Sequence, residues 1–449
     1  MNKSFQKIRN LTPAQAIAGY YFAAISISFI LLRLPGVHQQ GVEIPLIDTL
    51  FTAISAVSVT GLTVINISET YTVFGIVLIM FILQLGGIGI MSIGTFFWLL
   101  LGKRIGLRER QLIMVDHNQL SMSGVVKLIR NIISILLLIE LVGAVILTLY
   151  FMQYYDTFSE ALLQGVFASV TATTNGGFDI TGASLVPYFN DYFVQVITML
   201  LIILGAIGFP VLIELKEFIS NKDKTFRFSL FTKITVSMFG ILLAVGTLGI
   251  LALESFKAFK GLSWHETLFA AIFHSVSSRS GGLVTFDITQ FDEATNVFMS
   301  VLMFIGASPS SAGGGIRTTT LAIAILFLIN FARSKNTIQI FSREIQLIDV
   351  FRSYAVIILA TGMVIVSTMI LFITEPEASA IEIIFEITSA FGTCGMSLGI
   401  TDDLSSVGKF TIMVLMFIGR VGLISFLFTI GGKPDPTKFH YPKERVIIG

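Results

Sequence analysis

Long apolar runs, interrupted at regular places by short polar or glycine-rich stretches, set the pattern of this chain. Four of them (14–34, 129–151, 230–253 and 350–373) are each followed by a shorter apolar piece (45–58, 157–170, 263–277 and 376–390). A small-residue run ending in Gly comes next, then a second long apolar segment (71–101, 191–218, 297–330 and 411–430). Each long segment suffices to cross a hydrocarbon core of about 30 Å at about 1.5 Å per helical residue. The short pieces are too short to span and read as re-entrant. The pattern predicts eight spans and four re-entrant helices. Capping signals mark the starts of the short helices: Thr157-x-x-Glu160, Ser263-x-x-Glu266, Ser379-x-x-Glu382, and Pro45 with Asp48 in the first copy. The partial negative end of each short helix then points at its Gly run and favours a cation there.

The Gly runs are variants of one another: Ser55-Ala56-Val57-Ser58-Val59-Thr60-Gly61-Leu62, Ser169 to Phe178, Ser275 to Leu283, and Ser389 to Met396. Aligned on Gly61, Gly176, Gly281 and Gly395 they recur every 105 to 115 residues or so, which predicts one unit used four times. The units are 1–102, 103–220, 221–335 and 336–432, with a tail at 433–449.

Composition agrees with a bilayer setting. Hydrophobic residues make up 54% of the chain and charged residues 13%, against about 25% charged in soluble domains, and mean hydropathy is +0.85. The run 14–34 has no small-residue cleavage site and reads as a first membrane helix rather than a removed signal. A single cysteine excludes an intrachain disulfide, and a net charge of +1 argues against nucleic acid. The five histidines show no ligand spacing and no nucleophile–base pair stands out, so the chain does not read as an enzyme and calls for no cofactor. Most Lys and Arg precede the first span, follow the last or lie between units, which places both termini in the cytoplasm. The opposite side carries acids, among them Asp48, Asp179, Asp191, Glu254, Asp287, Glu375 and Asp402, and predicts a mouth that concentrates cations.

Non-helical backbone at membrane depth must be buried in protein or line water, so four glycine loops have to converge. Their carbonyls are then able to replace the hydration shell of a bare monovalent cation. The candidate filter is Val59, Thr60, Gly61; Thr174, Asn175, Gly176; Arg279, Ser280, Gly281; and Thr393, Cys394, Gly395. No carboxylate lies just upstream of the glycines, which disfavours divalent ions. Arg279 is expected to turn its side chain into the scaffold. A second echo, Leu85-Gly86-Gly87-Ile88-Gly89, Leu204 to Gly208, Ile305 to Ser308 and Ile418 to Gly422, reads as close helix packing. In the third copy Gly306, Ala307, Ser308, Pro309, Ser310, Ser311, Ala312, Gly313, Gly314 and Gly315 cannot continue a helix, since Pro costs about 3 kcal/mol there and each Gly about 1 kcal/mol. This loop is a candidate gate below the filter. Arg420, an intramembrane charge, either holds the loop or pairs with an acid such as Glu140. A sodium-coupled secondary transporter of another fold is the alternative, although such folds often use inverted repeats.

These residues, with Phe417-Ile418-Gly419-Arg420 and Ser389-Ala390-Phe391-Gly392-Thr393, resemble the Trk/Ktr/HKT superfamily of potassium transporters over the whole chain, and within it the membrane subunits of the bacterial Ktr system, of the KtrB or KtrD type. The resemblance implies an all-α polytopic protein with four parallel helix–pore-loop–helix repeats around one pore, in a bacterial cell membrane. It implies potassium, with sodium as a possible second ion, and Gly61 matches the potassium form of the first filter position. It also implies a gate at 306–315 latched by Arg420, a homodimer, and an octameric ring of cytoplasmic nucleotide-binding subunits of the KtrA or KtrC type.

Overall fold

A backbone inside hydrocarbon must pair its own N–H and C=O groups, and a helix does so within one segment. The computed structural model accordingly is almost wholly helical over the residues it describes, which are 12–89, 92–95, 105–116, 124–220, 226–335, 337–423 and 444. The basic residues Lys3, Lys7, Arg9, Lys103, Arg104, Lys222 and Lys224, and the tail 433–449 apart from Glu444, lie outside the described residues.

The first unit contains α1 (Pro13–Leu32), α2 (Leu46–Ser58) and α3 (Val73–Ile88). A connecting helix α4 (Leu107–Asp116) leads to α5 (Val125–Phe151), α6 (Phe158–Thr173), α7 (Tyr192–Ala206) and α8 (Phe209–Ser220). The third stretch holds α9 (Leu230–Glu254), α10 (Trp264–Ser277), α11 (Glu293–Phe304) and α12 (Thr318–Ala332). A two-residue hairpin, β1 (Gln339–Ile340) and β2 (Arg343–Glu344), precedes α13 (Leu347–Thr374), α14 (Ala380–Gly392) and α15 (Ser406–Val421). Among the described residues α1, α5, α9 and α13 are long and apolar enough to cross a membrane.

Local chemistry sets the helix starts. Thr12 and Gln15 cap α1 reciprocally, with Pro13 in the first turn. Ser263 with Glu266 and Ser379 with Glu382 form full capping boxes on α10 and α14, whereas Thr157 accepts from Glu160 N–H on α6. Pro45 heads α2, with Asp48 in its first turn.

The second long segments depart from expectation. Apolar run length predicts four second helices, of which only the third is drastically broken. Instead α3 stops at Gly89 (φ +95°), α7 and α8 meet at 104° across Gly208 (φ +101°), and α15 stops at Gly422 (φ +88°). The physical reason is proximity. A Cβ on Gly86, Gly205 or Gly419 would collide with the carbonyl of Val57, Thr173 or Phe391, at the ends of α2, α6 and α14. The glycines bring each second helix against the end of its short helix, and a left-handed glycine three residues later ends the run.

The last unit packs on the first through α15 and α2. There Lys409 Nζ donates to Asp48 Oδ1 at 2.7 Å, with side-chain exposures of 12% and 11%. Removing one partner of such a pair leaves an uncompensated buried charge and costs about 3 kcal/mol. Asp48→Asn is therefore expected to lower the thermal denaturation midpoint in detergent, and Asp48→Asn with Lys409→Gln to recover most of it.

Candidate functional site

Each short helix ends in a turn that reverses the chain. In the first, Val59 is left-handed (φ +56°), Val59 N–H donates to Ala56 O at 3.2 Å, and Thr60 N–H to Ser55 O at 2.9 Å. This pair of bonds is the Schellman arrangement, which satisfies carbonyls a helix end leaves orphaned. Asn175 (φ +58°) with Gly176, and Thr393 (φ +46°) with Cys394, repeat it bond for bond. The third turn differs: Ser280 is left-handed (φ +66°), but Gly281 N–H reaches Ser277 O directly at 2.6 Å. Val and Thr are β-branched and strained at positive φ. Strain of this kind persists where surrounding structure overdetermines it, typically at functional sites.

The turns correct the alignment of the Gly runs. Two residues after each left-handed residue stands a glycine with positive φ: Gly61 (+95°), Gly177 (+65°), Gly282 (+72°) and Gly395 (+98°). Gly176 and Gly281 are thus equivalent to Thr60 and Cys394, not to Gly61 and Gly395. Thr174 and Arg279, placed in the filter from sequence, stand one residue before the turn. The helical course simply runs further in the second and third copies, where Thr174 and Ser278 remain right-handed. Paired glycines at 176–177 and 281–282 allow either register on paper, and φ decides between them.

Gly61, Gly177, Gly282 and Gly395 meet. A Cβ on Gly177 would lie 3.1 Å from Gly282 Cα, 3.2 Å from Cys394 O and 3.3 Å from Thr60 O. One on Gly61 would lie 2.6 Å from Gly176 O, and one on Gly395 would strike Thr60 O. The four turns therefore bring backbone carbonyls to one narrow place. Beside them opens a cleft of about 580 Å³, lined by all four glycines and by Asp179, Asp287 and Asp402.

Most acids expected at a cation mouth are engaged elsewhere. Buried Glu254 accepts from the N–H groups of Asp292 and Ala258, Glu375 accepts from Ser405, and Asp191 caps α7 and takes the hydroxyls of Tyr150 and Tyr154. Glu386, wholly buried on α14, accepts from Ser397 Oγ at 2.7 Å and Thr401 Oγ1 at 2.5 Å and so holds the loop after the fourth turn. In the cleft, burial pushes the Asp287 carboxyl up, but hydrogen bonds from Thr289 and Gln290 outweigh it and hold it below the ordinary range. Burial, with Asp403 adding to it, raises Asp402.

Beneath the turns lies the break at 305–317. Ser308 N–H donates to Ala206 O at 3.0 Å, Ala312 N–H to Gly205 O at 3.1 Å, and Phe209 N–H to Ser310 O at 2.8 Å, so the loop plugs into the bend between α7 and α8. Ser311 Oγ donates to Ser308 O at 2.6 Å, and Ala307 N–H to Gly314 O at 3.1 Å. A Cβ on Gly314 would stand 2.6 Å from Thr393 Oγ1, and one on Gly313 2.7 Å from Ser280 Cβ, so the loop touches the backs of the third and fourth turns. Arg420 is buried on α15. Its Nη1 donates to Ala312 O and, at 3.3 Å, to Gly313 O; its Nη2 donates to Gly86 O and, at 3.2 Å, to Gly87 O. Glu140 takes no part in this; its Oε2 accepts from Gln84 Nε2 at 2.5 Å. Of the two partners considered for Arg420, the structure thus places it on the loop.

With this geometry in view, the comparisons are direct. The profile of the TrkH family, described as cation transport protein, matches residues 5–440. This chain belongs to that family. It is 55% identical over 442 residues to the Ktr system potassium uptake protein D of Bacillus subtilis, covering 98% of each chain. It is 33% identical to the potassium/sodium uptake protein NtpJ of Enterococcus hirae, again over 98% of both. The crystal structure of the potassium transporter TrkH from Vibrio parahaemolyticus shares the fold, with a TM-score of 0.72 at 18% identity over 94% of this chain and 84% of that one. The TrkH relatives named here are transport proteins, and the helical, multi-pass architecture agrees with theirs.

The turn register has a direct consequence. Gly177→Ala forces a side chain into a left-handed residue beside Thr60 O and Cys394 O, a strain of about 1–2 kcal/mol before any clash. Gly176→Ala meets the movable end of Leu83 instead. Cation uptake by the folded protein is expected to fall at least about tenfold in the first variant, and to persist in the second. A pH effect follows from Asp402. Because its carboxyl is raised, it takes up a proton earlier than an ordinary Asp as pH falls on the cleft side, and the cleft loses negative charge. Apparent cation affinity is expected to drop over that range, and Asp402→Asn to flatten the profile.

Proposed function

We propose that this chain is the ion-conducting membrane subunit of a Ktr-type potassium uptake system. Its four units surround one pore, and potassium passes through a filter of backbone carbonyls from Val59–Gly61, Asn175–Gly177, Ser280–Gly282 and Thr393–Gly395. The observation that carries this reading is the meeting of four glycine turns on one spot at the foot of an acidic cleft. Carbonyls held there by strained turns exchange for an ion's water at little reorganisation.

In this reading the loop 306–315 is the gate and Arg420 its latch, because the guanidinium ties the loop to the end of α3. Both termini face the cytoplasm of a bacterial cell. The subunit works as a homodimer on an octameric ring of nucleotide-binding subunits of the KtrA or KtrC type, which acts on the basic loops. Sodium is the second ion to examine, since a relative aligned end to end is named for both ions.

Expression in a potassium-transport-deficient bacterium is expected to restore growth at low potassium, and failure of the folded protein to do so would remove the proposal. Gly61→Ser is expected to admit more sodium relative to potassium. Arg420→Gln, or deletion within 308–314, is expected to raise flux without its partner ring, measured as rubidium uptake into proteoliposomes. Unchanged flux in both gate variants would count against the latch.

A further inference from the structure

Arg279 is among the largest side chains with no exposure at all. Among the described residues no carboxylate pairs with it. A lone cation at such depth is costly, so whatever receives it has to be fixed in place. Its Nη1 donates at 2.7 Å to the carbonyl of Ile305, the residue at which α11 ends and the loop begins. That carbonyl is an orphan of the helix end and lies at the negative pole of α11, where a cation is stabilised. Among the described residues Nε and Nη2 have no hydrogen-bond partner, so this one bond supplies the side chain's directed contact there.

The main chain of the same residue is tied to the turns. Arg279 directly precedes Ser280, the left-handed residue of the third turn. Its carbonyl accepts from Asn175 Nδ2 of the second turn at 3.4 Å. Ser280 Oγ in turn donates to Gly392 O, beside the fourth turn, at 2.8 Å. One residue therefore joins three turns, through backbone and neighbours, to the root of the loop, through a guanidinium.

We infer that Arg279 is a positioning residue that couples filter and gate: it anchors the loop at Ile305 so that movement of the loop alters the third turn, and distortion of that turn loosens the loop. Arg420 holds the distal part of the loop, at Ala312 and Gly313, while Arg279 holds its origin. The inference rests on the filter and gate assignments above.

The experiment measures two quantities on purified full-length protein in proteoliposomes: rubidium flux without regulatory subunits, and the ratio of potassium to sodium uptake. Gly61→Ser is the filter control and Arg420→Gln the gate control. Arg279→Gln is expected to change both quantities together, raising flux and lowering the ratio by about tenfold each, the effect of one lost charge-assisted hydrogen bond. Arg279→Lys keeps the charge without the fork and is expected to fall between Gln and the parent in both. A change confined to one quantity, or none, in monodisperse Arg279→Gln protein would overturn the coupling. If that variant does not fold, Arg279→Lys decides: a shift in both quantities supports coupling, and parental values or a shift in one alone refute it. Controls that move neither quantity would instead defeat the filter and gate assignments themselves.

Discussion

A helix interrupted within hydrocarbon leaves carbonyls that bulk water cannot reach, and the whole centre of this protein depends on meeting that demand. Every second helix is interrupted near the ends of the short helices, so the demand arises four times in a small volume. Much of it is met by two guanidinium groups. Arg420 alone serves four carbonyls from two separate segments, and Arg279 serves the end of α11. Arginine suits this task because it stays charged and presents several donors in a fixed fork. Neither arginine has a carboxylate partner among the described residues, so the receiving groups are dipoles of the main chain. Those dipoles belong to the loop after α11 and to the end of α3.

The turns themselves come in two kinds. In the first and fourth, Gly61 and Gly395 N–H groups donate back to the hydroxyls of Ser55 and Ser389, each at 3.1 Å. In the second and third the corrected register puts Thr171 and Val276 at that position, and the nearby Ser169 and Ser275 donate instead to Glu140 O and Leu243 O on the long helices, each at 2.8 Å. Hydroxyls that look interchangeable along the chain thus brace the turns from within in one pair and from behind in the other. The glycine φ values follow the same division.

How much of this is legible in the chain can be judged from particular residues. Apolar run length locates α1, α5, α9 and α13 to within a few residues of their ends, because crossing hydrocarbon is a demand on composition alone. Capping chemistry places the starts of α6, α10 and α14, because Ser or Thr with a later Glu acts locally. Register in the second and third turns is not readable, since adjacent glycines satisfy the same spacing twice and backbone angle leaves no mark on residue type. The breaks at Gly89, Gly208 and Gly422 are missed for a related reason: a glycine that packs closely and one that ends a helix look alike until the neighbouring carbonyl is seen. Depth and charge offer the loop as one of two partners for Arg420, whereas the partner of Arg279 is a backbone oxygen 26 residues along the chain, with no side-chain signal to reveal it. The acidic side overstates the mouth, because Glu254 and Glu375 serve as internal braces.

Building four units on one polypeptide has a mechanical outcome at the contact of α2 with α15. Neighbouring units elsewhere are tethered by covalent connections, but the first and last meet with the full length of the chain between them. Asp48 and Lys409 sit on that unstitched edge, and they are the most deeply shielded ion pair among the described residues. That edge carries an electrostatic fastening laid over an apolar one, the cluster that Phe51 and Leu62 share with Ile412 and Met416.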